Sequence, residues 1–296
     1  MRILIAGKSG QLAQAFASIR RDGVEIIEAG RPQLDIADAA QTAAFVARAA
    51  PDIVVNTAAY TAVDKAEDEP EAAFLLNEIG AANLARAAGA IGAPIVHFST
   101  DYVFDGAASR PYRETDPTNP LGVYGASKLA GEHAVAAANP DFVILRTAWV
   151  FSEFGANFLK TMLRLSTDRP SLSIVADQVG TPTYAVDLAR ATLDICAAIH
   201  QQNIPDWRGA YHLVAEGQTN WAEFAAEIFS QSQALGGPYA DVTQITTADY
   251  PTRAKRPAFS VLDPSLAAAR FGVRLPDWRN ATSRCVTALG QAKATQ

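Results

Sequence analysis

Tyr124 and Lys128, four residues apart in YGASK, and the hydroxyls Ser99 and Thr100 of STDYVFDG are the residues of this chain whose types and spacing can do chemistry. The stretch YGASKLAGEHAV predicts a helix, on which positions four apart stand one above the other on a single face. A lysine so placed can hold a phenolic oxygen at lowered pKa. The apolar run Ala93 to Phe98 predicts a strand that ends abruptly in Ser99, Thr100 and Asp101. Polar residues at the C-terminal end of a parallel strand sit where open α/β sheets take their ligands. Both hydroxyls can then hydrogen-bond to the oxygen that the phenol serves, which makes Ser99 a candidate substrate contact. Phenol, ammonium and hydroxyl together form a proton relay for making or breaking an alcohol. Taken alone, Tyr-x-x-x-Lys is equally a surface pair on an amphipathic helix, so the reading depends on the elements that must position it.

Those elements begin at the N terminus. Arg2 to Ala6 predicts a buried parallel strand, and GKSGQLA follows at once with Gly7, Gly10 and Ala13 at G-x-x-G-x-x-A spacing. Glycines there let the backbone turn tightly and bring amides close to a pyrophosphate at a helix start. A second strand, Val24 to Glu28, runs into EAGRP, which offers both Glu28 and Arg31. An acid suits free ribose hydroxyls and a cation suits the extra phosphate of NADP, so the preference is open and leans to NADP. Asp35 or Asp38 caps the next helix, and Asp35 and Ile36 are placed to line the adenine side, although Asp35 equally serves as a turn residue. Ile53 to Asn56 predicts a third strand with a small-residue exit, Thr57, Ala58 and Ala59, where a nicotinamide ribose fits. The loop with Tyr60, Thr61, Val63 and Asp64 lies at the same end of the sheet as Thr100.

Glu71 to Ala90 reads as one long alanine-rich helix, in which Asn77 either packs behind the relay or is solvated. PYRETDPTNPLGVYG delivers Tyr124. After it, Phe142 to Leu145 predicts a strand that carries Arg146, Thr147 and Trp149 to the same edge, with Trp149 read as a wide aromatic beside a sugar-sized pocket rather than plain core. Later segments are less regular: a helix in NFLKTMLRL, a strand Leu172 to Val175, an extended segment Asp177 to Thr183, and a clear helix in AVDLARATLDICAAIH. Arg253, Lys255 and Arg256 either touch a diphosphate or form a solvated face. The expected architecture is α/β, a Rossmann-type doubly wound parallel sheet with a smaller C-terminal substrate-binding lobe of mixed α/β structure. A dinucleotide-binding domain is expected over 1–148, with 184–200 returning to it, and the lobe mainly over 149–183 and 201–296.

Composition narrows the classes. The 296 residues are 49% hydrophobic and 19% charged, ordinary for a soluble globular enzyme. A formal charge of -6 with no basic block argues against nucleic acid. Cys196 and Cys285 lack metal-like spacing and read as buried small hydrophobes, which fits a reducing compartment. The start has too short an apolar run for a signal peptide, and no stretch suits a membrane span, so no membrane partner and a cytoplasmic location are expected.

With these residues in hand, the chain resembles the extended short-chain dehydrogenase/reductases and, within them, the dTDP-4-dehydrorhamnose reductase family. The resemblance covers nearly the full length, on ILIAGKSGQL, DIVVNTAAYTAVDKAEDEP, HFSTDYVFDG, PYRETDPTNPLGVYGASKLAGE, VILRTAWVF, NFLKTMLRL, DQVGTPT and RPAFSVLD. It implies reduction of the 4-keto group of a dTDP-sugar, dTDP-4-dehydro-L-rhamnose, with NADPH, NADH also serving. It implies Thr100, Tyr124 and Lys128 as catalytic residues and Val63, Tyr102, Tyr124 and Trp149 on the substrate. Gly10, Gln11, Leu12, Asp35, Ile36, Ala58, Ala59 and Tyr60 would meet the cofactor, with Tyr124 and Lys128. Some members are described as magnesium-dependent homodimers with interface glutamates, two of whose positions match Ala15 and Val186 here. Magnesium is therefore not expected at that site, and a monomer or a metal-independent homodimer is. The rival readings are another nucleotide-sugar ketoreductase, an epimerase or a dehydratase, and a non-catalytic dinucleotide-binding regulatory subunit.

Overall fold

The computed structural model describes residues 1–202 and 204–294. Apolar runs of four to six residues alternate with helices through the first half. In chain order the elements are β1 (Arg2–Ala6), α1 (Gln11–Ser18), β2 (Glu25–Ala29), α2 (Ala39–Ala49), β3 (Ile53–Asn56), α3 (Val63–Ala66) and α4 (Pro70–Phe74). A π-helical stretch, Leu75–Gly80, joins α4 to α5 (Ala81–Ala90), and β4 (Ile95–Thr100), α6 (Val123–Ala138) and β5 (Phe142–Thr147) follow. The later elements are β6 (Val150–Phe151), α7 (Phe158–Leu165), β7 (Ser171–Val175), β8 (Val179–Gly180), β9 (Thr183–Tyr184), α8 (Ala185–His200), β10 (Gly209–His212), β11 (Thr219–Asn220), α9 (Trp221–Ala234), β12 (Asp241–Ile245), α10 (Ser265–Phe271) and α11 (Trp278–Ala294).

Six strands form one parallel sheet in the order β10-β5-β4-β3-β1-β2. The order reverses between β1 and β3, so the crevice at their C-terminal ends is the switch point where such sheets take ligands. Period-two alternation divides the strands between two faces. Ile3, Ile5, Val55, Val96 and Leu145 face α1 and α8, and Leu4, Val54 and Ile95 face α2, α5 and α6. Leu188 and Ile195 of α8 share the buried cluster of the sheet, and the same cluster continues into Phe224 and Trp278 of the late elements. Cys196 and Cys285 are free and buried.

Two elements differ from expectation. β4 runs two residues further than its apolar run, so Ser99 and Thr100 are still strand residues, paired with Arg146 and Thr147 of β5. The expected single helix over 71–90 is broken by the π turn. Asn77 lies within that turn and is almost fully buried, so the widened turn places a polar side chain behind α6.

Candidate active site

β4 and α6 build the relay. Gly125, in the first turn of α6, permits the approach, since a Cβ there would lie 2.2 Å from the Tyr102 carbonyl oxygen. Glu67 accepts the Val123 amide at 2.8 Å and satisfies a helix start whose own N-cap, Gly122, has no side chain. Tyr124 and Lys128 then project one turn apart toward β4. The Thr100 hydroxyl lies close enough to the Tyr124 phenol to bear on its ionisation. The Tyr102 and Tyr124 rings meet edge to face, with centroids 5.5 Å apart. Thr100 donates to Asp101 Oδ1 at 3.0 Å and accepts the Tyr102 amide at 3.2 Å, which fixes its rotamer.

Burial sets the electrostatics. It pushes the Tyr124 phenol up to about 12; the Thr100 hydroxyl opposes the rise and the Asp101 charge adds to it. It brings Lys128 down to about 8, against the pull of Glu132. It raises Asp101 to about 6, with the Ser260 and Thr100 hydroxyls opposing. The expectation that Lys128 holds the phenol at lowered pKa is not met in this arrangement. The long lysine stem reaches back along β4, where Nζ donates to the Phe98 carbonyl at 2.6 Å and lies 3.5 Å from His97 Nε2.

Ser99 is a second correction. Its hydroxyl donates to Glu132 Oε1 at 2.5 Å, inside a buried ion pair of Glu132 with Arg146 at 2.7 Å. Adjacent strand residues point to opposite faces, so Ser99 and Thr100 do not converge on one oxygen.

The glycine turn and the β3 exit meet at the switch point. Gly7 has φ +125°, and a Cβ on it would lie 2.4 Å from Thr57 Oγ1. Gly10 N-caps α1 without a side-chain cap, so the first amides of that helix, those of Gln11 and Leu12 included, have no side-chain acceptor there. The Gln11 side chain itself is turned to the late elements, donating to the Val150 carbonyl and accepting from Ser152 and Asn157. Asn56 Oδ1 accepts the Ala58 amide at 3.1 Å, and Ala59 is partly exposed beside it. Tyr60 is bracketed by Asn77, which accepts its amide at 2.8 Å and donates to its carbonyl at 3.1 Å. Asn77 also donates to Ser127 Oγ, which donates to the Tyr124 carbonyl, so it does pack behind the relay. The Tyr60 phenol donates to Glu69.

At the far rim, Arg31 is 70% exposed along its side chain and 4.0 Å from Asp35 Oδ2. Asp35 Oδ1 accepts the Ala37 amide, the turn role. The Ile36 side chain is buried beneath Gly80 in the apolar cluster on the sheet.

Toward the late elements, Val63 opens α3, and Asp64 beside it pairs with Arg256 at 2.7 Å and accepts the Ala254 amide at 3.0 Å. Arg253 pairs with Asp68 at the surface, and Lys255 is exposed. Trp149 stacks on Trp221 with centroids 3.6 Å apart and planes 8° from parallel. Trp221 donates to Gln178, and both line a cleft of about 720 Å³ with Tyr250 and Arg256.

Residues 1–291 match the RmlD substrate binding domain. The dTDP-4-dehydrorhamnose reductase of Sinorhizobium fredii is 48% identical over 289 residues, covering 98% of each chain. The chain belongs to the dTDP-4-dehydrorhamnose reductase family. The dTDP-4-dehydrorhamnose reductase structure from Clostridium acetobutylicum superposes with a TM-score of 0.90 at 40% identity, covering 98% of this chain and 100% of that one. The Bacillus anthracis reductase, solved in complex with NADP, gives 0.88 at 36% identity, covering 97% and 99%.

In this member of the dTDP-4-dehydrorhamnose reductase family, Ala15 and Val186 are buried in the apolar cluster between sheet and α8. Among the described residues, no three His, Cys, Asp or Glu side chains group to hold a metal, and no helix is long and apolar enough to cross a membrane. Sequence reasoning gave Trp221 no role; its stacking on Trp149 shows only in the fold. It also passed over His97, although a histidine inside the apolar run IVHFS was a visible signal.

Proposed function

We propose that this chain reduces the C4 ketone of dTDP-4-dehydro-β-L-rhamnose to the alcohol of dTDP-β-L-rhamnose, the last step in making that nucleotide sugar. The placement of Thr100 beside Tyr124, with Lys128 one turn along α6, at the sheet edge two strands from the Gly7 turn carries the reading. A reduced nicotinamide dinucleotide supplies hydride to the ketone carbon when bound. The side-chain-free cradle at Gly7, the amides at the start of α1 and the small exit at Ala58 and Ala59 suit its pyrophosphate and ribose. Tyr124 gives its proton to the ketone oxygen as negative charge develops, Thr100 turns its hydroxyl hydrogen from Asp101 to that oxygen, and Lys128 restores the phenol's proton. Val63, Tyr102 and the Trp149–Trp221 stack frame the sugar.

Arg31 at the rim favours the 2'-phosphate, so NADPH is preferred and NADH is also used; the NADP held by the Bacillus anthracis reductase supports this. We assign 1–148 and 184–200 to dinucleotide binding, on the packing of α8 against the sheet, together with β10, the edge strand of that sheet, and the remainder mainly to the sugar. A dehydratase calls for an acid/base carboxylate pair beside the threonine, whereas here Asp101 is followed by Tyr102 with no glutamate. The test is incubation with dTDP-4-dehydrorhamnose and NADPH, following loss of reduced-nicotinamide absorbance and identifying the product by NMR. dTDP-L-rhamnose is expected. An epimer or an unsaturated sugar overturns the reading in favour of another nucleotide-sugar enzyme, and cofactor binding without turnover overturns it in favour of a regulatory subunit.

A further inference from the structure

β4 carries a histidine that the proposed chemistry leaves unused. His97 is fully buried, and its two ring nitrogens keep different company: Nδ1 is 3.0 Å from Asn56 Nδ2, and Nε2 is 3.5 Å from Lys128 Nζ. Asn56 is not free to flip. Its Oδ1 accepts the Ala58 backbone N–H at 3.1 Å, so its amide nitrogen must be the atom facing His97. An amide NH₂ only donates, so Nδ1 accepts, and a neutral imidazole then carries its hydrogen on Nε2. Burial, reinforced by the charge of Lys128, holds the ring well below its ordinary pKa and keeps it neutral. The Nε2–H therefore points at the lysine.

An ammonium group has donors and no acceptor. The Phe98 carbonyl, 2.6 Å from Nζ, takes one of its hydrogens, but toward His97 it meets donor with donor. A neutral amine offers a lone pair that the Nε2–H fills. The other titratable or charged groups around Lys128 are Tyr124 and Glu132 one turn to either side on α6, Arg146 of β5 paired with Glu132, and Asp101 just past β4. Glu132 is the one that favours the ammonium.

We propose that Asn56 and His97 are positioning residues for Lys128: by fixing the Nε2–H tautomer they present a donor to the lysine and set it to release its proton to the Tyr124 phenolate. The inference rests on the reductase reading and adds the step after protonation of the ketone oxygen. From its place on the Phe98 carbonyl the lysine stem swings to the phenol; the phenolate takes a proton from Nζ, the N–H bond breaks with its electron pair left on nitrogen, and on the stem's return that pair accepts the His97 Nε2–H until solvent restores the ammonium. Asn56 holds the Ala58 turn with its other atom, so the same side chain ties the cofactor exit to the relay.

The direct test is ¹⁵N NMR of the full-length protein labelled in its four histidines, with His97 assigned by comparison with His97→Gln. An unprotonated Nδ1 and a protonated Nε2 are expected across neutral pH. The Nδ1–H tautomer or an imidazolium overturns the proposal. The second test is the alkaline limb of kcat. Asn56→Asp keeps an acceptor for the Ala58 amide but offers an acceptor to Nδ1, which reverses the tautomer and turns a lone pair toward Lys128. The limb is expected to move up by roughly one pH unit or more. The shift should vanish in Asn56→Asp/His97→Phe; persistence there means that added charge alone moves the lysine and the histidine is not the route. A wild type without turnover counts against the reductase reading, and the tautomer measurement is decided without it.

Discussion

The relay and the rim beyond β2 are built from opposite materials. At the relay, Thr100, Lys128, His97 and Asn56 are buried and held by partners from β3, β4 and α6. At the rim, Arg31 and Glu28 are exposed, and the Arg31–Asp35 contact is long. Stranding one buried polar group costs about 1–3 kcal/mol, whereas an exposed ion pair is worth about 0–1 kcal/mol. Reaction type is therefore locked into the fold, and cofactor preference rests on side chains that can change without disturbing it.

The strongest way to break that contrast is Tyr124→Phe. Turnover of dTDP-4-dehydrorhamnose should fall by roughly 10²–10⁴ with NADPH affinity nearly unchanged. A variant with near-normal kcat places the proton donor elsewhere. Lys128→Met should cost more than about tenfold in kcat and weaken NADPH binding as well. Normal NADPH binding with a smaller rate loss demotes Lys128 to a packing residue. The pH profile sharpens the same point. Lys128 is charged below about 8 and neutral above it, so kcat should decline as pH rises through that value.

The contrast also explains what the sequence made legible. β1 and β3 were readable because buried parallel strands are continuous apolar runs, and α8 coincides with AVDLARATLDICAAIH because its periodicity is unbroken. Gly7 and the Tyr124–Lys128 spacing are local patterns that carry their geometry with them. Ser99 was misread because its partner, Glu132, is 33 residues away and two adjacent hydroxyls look like one unit. The π turn at Leu75–Gly80 leaves no mark in the sequence, because the Asn77 bonds to Tyr60 and Ser127 that accompany it reach residues far along the chain. Lys128 was expected beside the phenol because helical spacing says which residues share a face, not which carbonyl a long stem finds.

A smaller effect is expected from the aromatic pair, which stands between the two extremes because it is partly exposed yet tightly stacked. Trp221→Ala removes the face on which Trp149 rests, while the relay lies on other elements. Truncating a stacked aromatic forfeits about 0.5–1.5 kcal/mol beyond its area. KM for the nucleotide sugar should rise several-fold with kcat little changed. A fall in kcat alone would mean that the stack orients the ketone instead of holding the sugar.

The smallest effect belongs to the rim, and it tests the contrast from the exposed side. Arg31 lies beyond β2 with most of its side chain in water, 4.0 Å from an acid that partly offsets its charge. A 2'-phosphate meeting such a guanidinium gains little more than an exposed ion pair does. Arg31→Ala should therefore lower kcat/KM for NADPH relative to NADH by only about two- to fivefold, the equivalent of roughly 0.4–1 kcal/mol. Stability should be nearly unchanged, because no buried group loses a partner. Glu28→Gln should move the ratio the other way by removing the charge that opposes the phosphate. Added salt should shrink both effects, since solvent-exposed charges are screened. An unchanged ratio in both variants would place the discrimination on buried backbone near the Gly7 turn, and the division between a locked chemistry and an adjustable cofactor preference would fail.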